Sequence, residues 1–151
     1  MCRDWDLIRR MLLAVQGTAM SEETAYYGTA INAARFVDAA HDWDTVAYNV
    51  DLMQQGGLAE GIVVRTHFGE AVAMHVGPLL WEGLNFLDLF TPAPVWENVK
   101  RRLDRVDGHA PYETLMEWGR HAADLILATP RELPTPEFVE LPDGGDYEPN
   151  W

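Results

Sequence analysis

The chain has 151 residues, 48% of them hydrophobic, and a formal net charge of −13. That is enough apolar material for one core with a small helical appendage, and too much carboxylate to favour nucleic acid or acidic membranes as partners. The single cysteine, Cys2, has no internal disulfide partner, no cationic apolar leader is legible, and Met11 to Val15 is far too short an apolar run to span a bilayer; a soluble cytoplasmic protein is therefore expected.

The first helix is read over Asp4 to Val15. Leu7, Ile8, Met11, Leu12 and Val15 recur at helical spacing, Asp4 and Asp6 suit the N-terminal dipole, and Gly17 ends the run. A second helix is expected to open at Ser21, before Glu22 and Glu23, and to continue through Tyr27, Ile31 and Ala34 to near Val37. A third begins at Asp42 or Asp44, carries Trp43, Val46, Val50 and Met53 on one stripe, and stops at Gly56-Gly57. Ile62-Val63-Val64 reads as a strand, and Val72, Met74 and Val76 alternate with Ala73 and His75 after a turn near Gly69, so the two make a hairpin.

The helical period returns from Trp81 through Leu84, Leu87 and Phe90 until Thr91-Pro92-Ala93-Pro94 breaks it. Val95, Val99, Leu103 and Val106 define the next helix, ended near Gly108. The last begins around Pro111 and repeats apolar or small residues from Tyr112 and Leu115 to Ile126 and Leu127. Five prolines, six acids and one arginine make residues 129–151 an extended acidic tail. The organisation expected is a core over 1–91, a helical extension packed on it over 92–128, and the tail.

Arg3-Asp4-Trp5-Asp6-Leu7-Ile8-Arg9, Tyr48-Asn49-Val50-Asp51-Leu52-Met53 with Gly57-Leu58, Leu80-Trp81-Glu82-Gly83 with Phe86-Leu87-Asp88, and Val95-Trp96-Glu97-Asn98-Val99-Lys100 occur in one order. In this the chain resembles the DUF2513 family, small phage and prophage proteins of unknown function, over roughly residues 1–16 and 42–128. The resemblance implies a mainly α protein with a small β-hairpin, built as a winged helix-turn-helix core followed by C-terminal helices, and a bacterial host cell. It brings no catalytic residues. On that reading the helix from Asp44 to Gln55 is the recognition helix and the hairpin is the wing.

Phe36 to Val64, across that helix and the start of the wing, contains no Lys or Arg. Asn49 and Gln55, read as outward-facing with Thr45, Tyr48 and Leu52, have the chemistry to contact adenine edges, but base contacts need phosphate anchors that Asp42, Asp44 and Asp51 oppose. The expectation is therefore a non-enzymatic protein that binds a host protein with a basic surface. Asp42, Asp44, Asp51, Glu60 and Glu70 are the contact residues and Tyr48 an aromatic anchor. Inhibition of a nucleic-acid-handling or defence complex, anti-CRISPR-like and by mimicry of nucleic acid, is one concrete form. The alternative is a winged-helix transcriptional regulator, dimeric through the last two helices. A supercharged surface that only keeps the protein dispersed explains the same charge count.

No metal, cofactor or catalytic centre is expected. His41, Asp42 and Asp44 read as an acid-rich helix start, and no Cys or second His stands at a tetrahedral spacing. No serine, threonine or cysteine has a recognisable base, and no glycine-rich phosphate loop occurs. Lys100, Arg101, Arg102 and Arg105 form the best basic cluster, with Lys100 and Asp104 spaced as an ordinary i,i+4 pair. Trp43, Trp81 and Trp96 are assigned to the core, and Trp118 to its margin.

Overall fold

Asp4 is the N-cap of the first helix, α1 (Trp5–Gln16): its carboxylate accepts the Leu7 N–H at 3.0 Å. The helix buries one continuous face through Trp5, Leu7, Ile8, Met11, Leu12 and Val15. The computed structural model describes residues 3–18 and 28–128. After α1 come strand β1 (Ile31–Asn32), a 3₁₀ turn (Ala33–Phe36), α2 (Trp43–Gln55), β2 (Ala59–Arg65), β3 (Ala71–Leu79), α3 (Trp81–Phe90), α4 (Ala93–Arg105) and α5 (Tyr112–Ala128). The chain is mainly α with a small antiparallel sheet of order β1-β3-β2, and no described helix is long and apolar enough to cross a membrane.

The helix expected from Ser21 to near Val37 does not run through its second half, where Ile31 pairs with Val76 as strand and residues 33–36 make a 3₁₀ turn. Gly28 accounts for this. It sits at φ +71°, and a Cβ there would lie 2.0 Å from the Val15 carbonyl oxygen, so the chain turns against the end of α1. The Asn32 side chain then accepts the Ala34 N–H and starts the tighter turn. The first half of that expected helix, residues 19–27, and the tail at 129–151 lie outside the described residues.

The hairpin is as expected and longer. Val63 pairs with Met74 and Ile62 with His75, with a turn at Gly69. Gly61 faces α2 so closely that a Cβ would come within 2.9 Å of Val50, which lets the sheet lie flat on the helix. At Thr91–Pro94 the break is a tight joint, because α4 starts at Ala93 with Pro94 in its first turn, where a missing N–H costs nothing.

One hydrophobic cluster runs from Trp5 in α1 to Ala122 in α5. Phe86 is its centre: it stacks on Trp5 at 5.8 Å and tilts against Phe90 at 4.8 Å, while Phe90 meets Trp96 edge-on at 5.3 Å. At two helix ends an apolar residue of the expected stripe lies outside the core. Trp81 is 75% exposed, because as the first residue of α3 it precedes the face that Gly83, Phe86, Leu87 and Phe90 bury. Val106 lies beyond the end of α4 and is exposed.

Candidate functional site

α2 presents Asp44, Tyr48, Asp51 and Gln55 along its outer side and buries Val46, Ala47, Val50 and Met53 against the sheet. Asp42, the N-cap, accepts the Thr45 N–H at 2.8 Å. Hydrogen bonding from the Thr45 side chain and N–H holds the Asp42 carboxyl below its ordinary value. Asp42, Asp44, Tyr48 and Asp51 thus share one helix, and Glu70 joins them across the hairpin, since the Trp43 indole N–H donates to the carbonyl of the adjacent Ala71 at 2.6 Å.

Glu60 is on another face. Strand side chains alternate, so with Gly61 against α2, Glu60 stands on the outer face of the sheet with Ile62 and Val64. Asp51 is ion-paired with Arg65 on the neighbouring strand. The cation just past the lysine- and arginine-free stretch is therefore folded back onto it, a pairing across 14 positions that no local periodicity encodes.

Asn49 points the other way from the reading given to it in sequence. It is 0% exposed; its Oδ1 accepts the Asp4 N–H and its amide donates to the Thr45 carbonyl, both at 2.9 Å. One turn of α2 thereby clamps the start of α1. His41 adds to the clamp: Nε2 lies 2.7 Å from Asp4 Oδ2 and Nδ1 lies 3.1 Å from Asp38 Oδ1. Desolvation pushes the Asp38 carboxyl up, but hydrogen bonds from the His41 ring and the Ala40 and His41 N–H groups outweigh it and hold the carboxyl below its ordinary value. His41, Asp42 and Asp44 are a helix start, and among the described residues no group of three or more His, Cys, Asp or Glu is placed to hold a metal ion.

Other residues of the segments that carry the resemblance meet at the foot of α1. The Trp5 indole and the Arg3 guanidinium both donate to the Ala110 carbonyl, at 2.9 and 3.0 Å. Asp6 accepts the Trp96 indole N–H at 3.3 Å, and Lys100 pairs with Asp6 at 3.6 Å, so the expected Lys100–Asp104 pair gives way to one between helices. Arg9 donates to the carbonyls of Phe90 and Thr91 at the end of α3. Of the remaining basic cluster, Arg102 lies over the Trp118 ring at 5.8 Å, while Arg101 and Arg105 are exposed.

A cavity of about 500 Å³ opens where α1, α2, α3 and α5 meet, lined by Arg3, Trp5, Leu52, Leu58, Glu82 and Tyr112. Across it the Tyr112 hydroxyl donates to the Glu82 carboxylate at 2.9 Å. Desolvation, then that hydrogen bond and the Glu82 charge, push the phenol well above its ordinary value.

These contacts explain the sequence pattern. Asp4, Trp5, Asp6, Arg9, Asn49, Glu82, Trp96 and Lys100 fix helices to one another, and the pattern they form marks a fold. A family model described as a hypothetical protein (DUF2513) matches residues 2–109; it runs through residues 17–41, where the resemblance was weakest, and stops before α5. No curated protein and no solved structure matches the chain. With a family model covering more than two thirds of its length, the chain belongs to the DUF2513 family.

Proposed function

We propose that this protein acts without catalysis, by binding a partner protein whose surface is basic, through the outer side of α2. The observation that carries the reading is the composition of that side: Asp42, Asp44 and Asp51 line it with Tyr48 between them, and Arg65, the first cation after the helix, is committed to Asp51. Exposed carboxylates around a half-buried aromatic ring suit lysine and arginine side chains, and opposite charge favours fast, salt-sensitive association. A groove that normally holds phosphate, in a host nucleic-acid-handling or defence complex of a phage-infected cell, is the partner chemistry this side would imitate.

The test is a nuclease-treated pull-down from a bacterial host lysate with the full chain and with an Asp44→Lys/Tyr48→Ala variant. A partner retained by the full chain, released at about 0.5 M salt and lost with the variant supports the reading. A partner retained equally by both overturns it.

A second reading has a specific observation in its favour. The succession α1, β1, short turn, α2, β2, β3 with sheet order β1-β3-β2 is compatible with a winged helix, in which α2 would enter a major groove and the β2–β3 hairpin would be the wing. A DNA-binding regulator follows by analogy of fold alone. The acidic outer side of α2 ranks it second.

A further inference from the structure

We propose that β2 pairs with β2 of a second copy of this chain, antiparallel and about a two-fold axis at Val63, joining two three-stranded sheets into one of six strands. The sheet order β1-β3-β2 leaves β2 at an edge. Among the described residues, no backbone or side-chain hydrogen bond reaches Ala59–Arg65 from that outer side. An edge of this kind presents alternating N–H and C=O groups that accept a strand. β2 contains no proline and no lysine, its two charges stand near its ends, and the extra residues at its two register shifts belong to β3, so β2 itself runs unbroken.

The outer face of the same strand is apolar where a soluble monomer would place polar groups: Ile62 is 62% exposed and Val64 is 48% exposed. A two-fold at Val63 sets Ile62 of each copy opposite Val64 of the other, so both side chains gain a cross-strand apolar neighbour. It also brings the Glu60 end of each strand to the Arg65 end of the other. Arg65 itself stays on the α2 side, one terminal nitrogen donating to Asp51 and the other to the Gly69 carbonyl at 3.4 Å.

Charge favours a second copy over the basic partner assigned to α2. β2 itself carries only Glu60 and Arg65, which cancel, so the contact strand is neutral in a molecule of net charge −13. Asp51, paired with Arg65 at the end of β2, and Glu70 in the hairpin turn lie near the contact, and added salt screens the repulsion between copies.

Sedimentation equilibrium of the full chain in about 0.5 M salt tests this. The expected mass is twice the 17.1 kDa of one chain. The Ile62→Lys/Val64→Lys variant, which alters only exposed side chains, is expected to weaken association at least about a hundredfold, because like charges then face each other across the axis. In a Cys2→Ser background, Ile62→Cys mixed with Val64→Cys is expected to form a disulfide under mild oxidation, while Phe68→Cys at the hairpin tip mixed with either does not. A chain that stays monomeric at about 100 µM, near the top of the micromolar affinity range, overturns the proposal. So does a dimer that survives the double-lysine variant and gives no cross-link in the mixture.

Discussion

Asn49 and Trp81 show how far a single residue's part can depart from its type. An amide on a helix that resembles a recognition helix suggests base reading, yet Asn49 is fully buried and joins Asp4 to Thr45. A tryptophan at the head of an apolar run suggests core, yet Trp81 stands in solvent. Asn49→Ala leaves the part-buried Asp4 N–H without its partner and removes the tie between α2 and α1, and is expected to cost about 1–3 kcal/mol in urea denaturation. Trp81→Ala is expected to shift stability by no more than about 0.5 kcal/mol. A reversal of the two results would mean that the clamp on α1 is not formed by Asn49. Neither outcome was legible in sequence, because the position of Asn49 on its helix fits both faces until Asp4, 45 residues earlier, is brought beside it.

Elements whose apolar residues keep a strict period were legible. α1, α2, the hairpin, α3, α4 and α5 all follow from spacing and from Gly56-Gly57 and Gly69 at the turns. The stretch after α1 was not, because Tyr27, Ile31 and Ala34 mimic helical spacing while Gly28 must meet Val15 through its missing side chain. Gly83 sets a comparable trap. Alanine is the better helix former by about 1 kcal/mol, but a Cβ at Gly83 would lie 1.9 Å from the Leu58 carbonyl oxygen. Gly83→Ala is therefore expected to destabilise the protein by about 1–3 kcal/mol as α3 is pushed from the β2 strand entry, measured by thermal or urea unfolding; a gain in stability would show that this contact gives way easily. At the start of α2 the effect depends on pH. The Asp42 carboxyl titrates below its ordinary 3.8 when folded, so its contribution is present above that value and is lost as pH falls through the lower, folded one. Asp42→Asn caps without titrating, and the difference between its urea midpoint and that of the unaltered chain is expected to change only below about pH 4. A difference that changes between pH 5 and 8 instead would assign the effect to another group.

At the scale of the whole molecule, charge was legible as a total and only partly as a surface. The acids of α2 stand together as expected, but Glu60 faces elsewhere and Asp51 carries Arg65, since strand alternation and ion pairing are settled by the fold. Duplex DNA binding is expected to be weak or undetectable in a mobility-shift assay at near-physiological salt, for want of cations to displace counterions from phosphate. Sequence-dependent nanomolar binding would promote the regulator reading. The bond from the Trp5 indole to the Ala110 carbonyl, spanning 105 positions, has a consequence for how the protein is made. On the ribosome α1 emerges first, yet the carbonyl that receives its tryptophan is synthesised only after four of the five helices. A contact so distant in sequence forms late, so the Trp5 indole waits for the chain to reach residue 110, although α2, β3 and α3 are already available to cover the rest of the α1 face. A chain cut after Arg105 is expected to keep that indole unbonded and to unfold at lower urea than the 151-residue chain, and an unchanged midpoint would show that the contact adds nothing to stability.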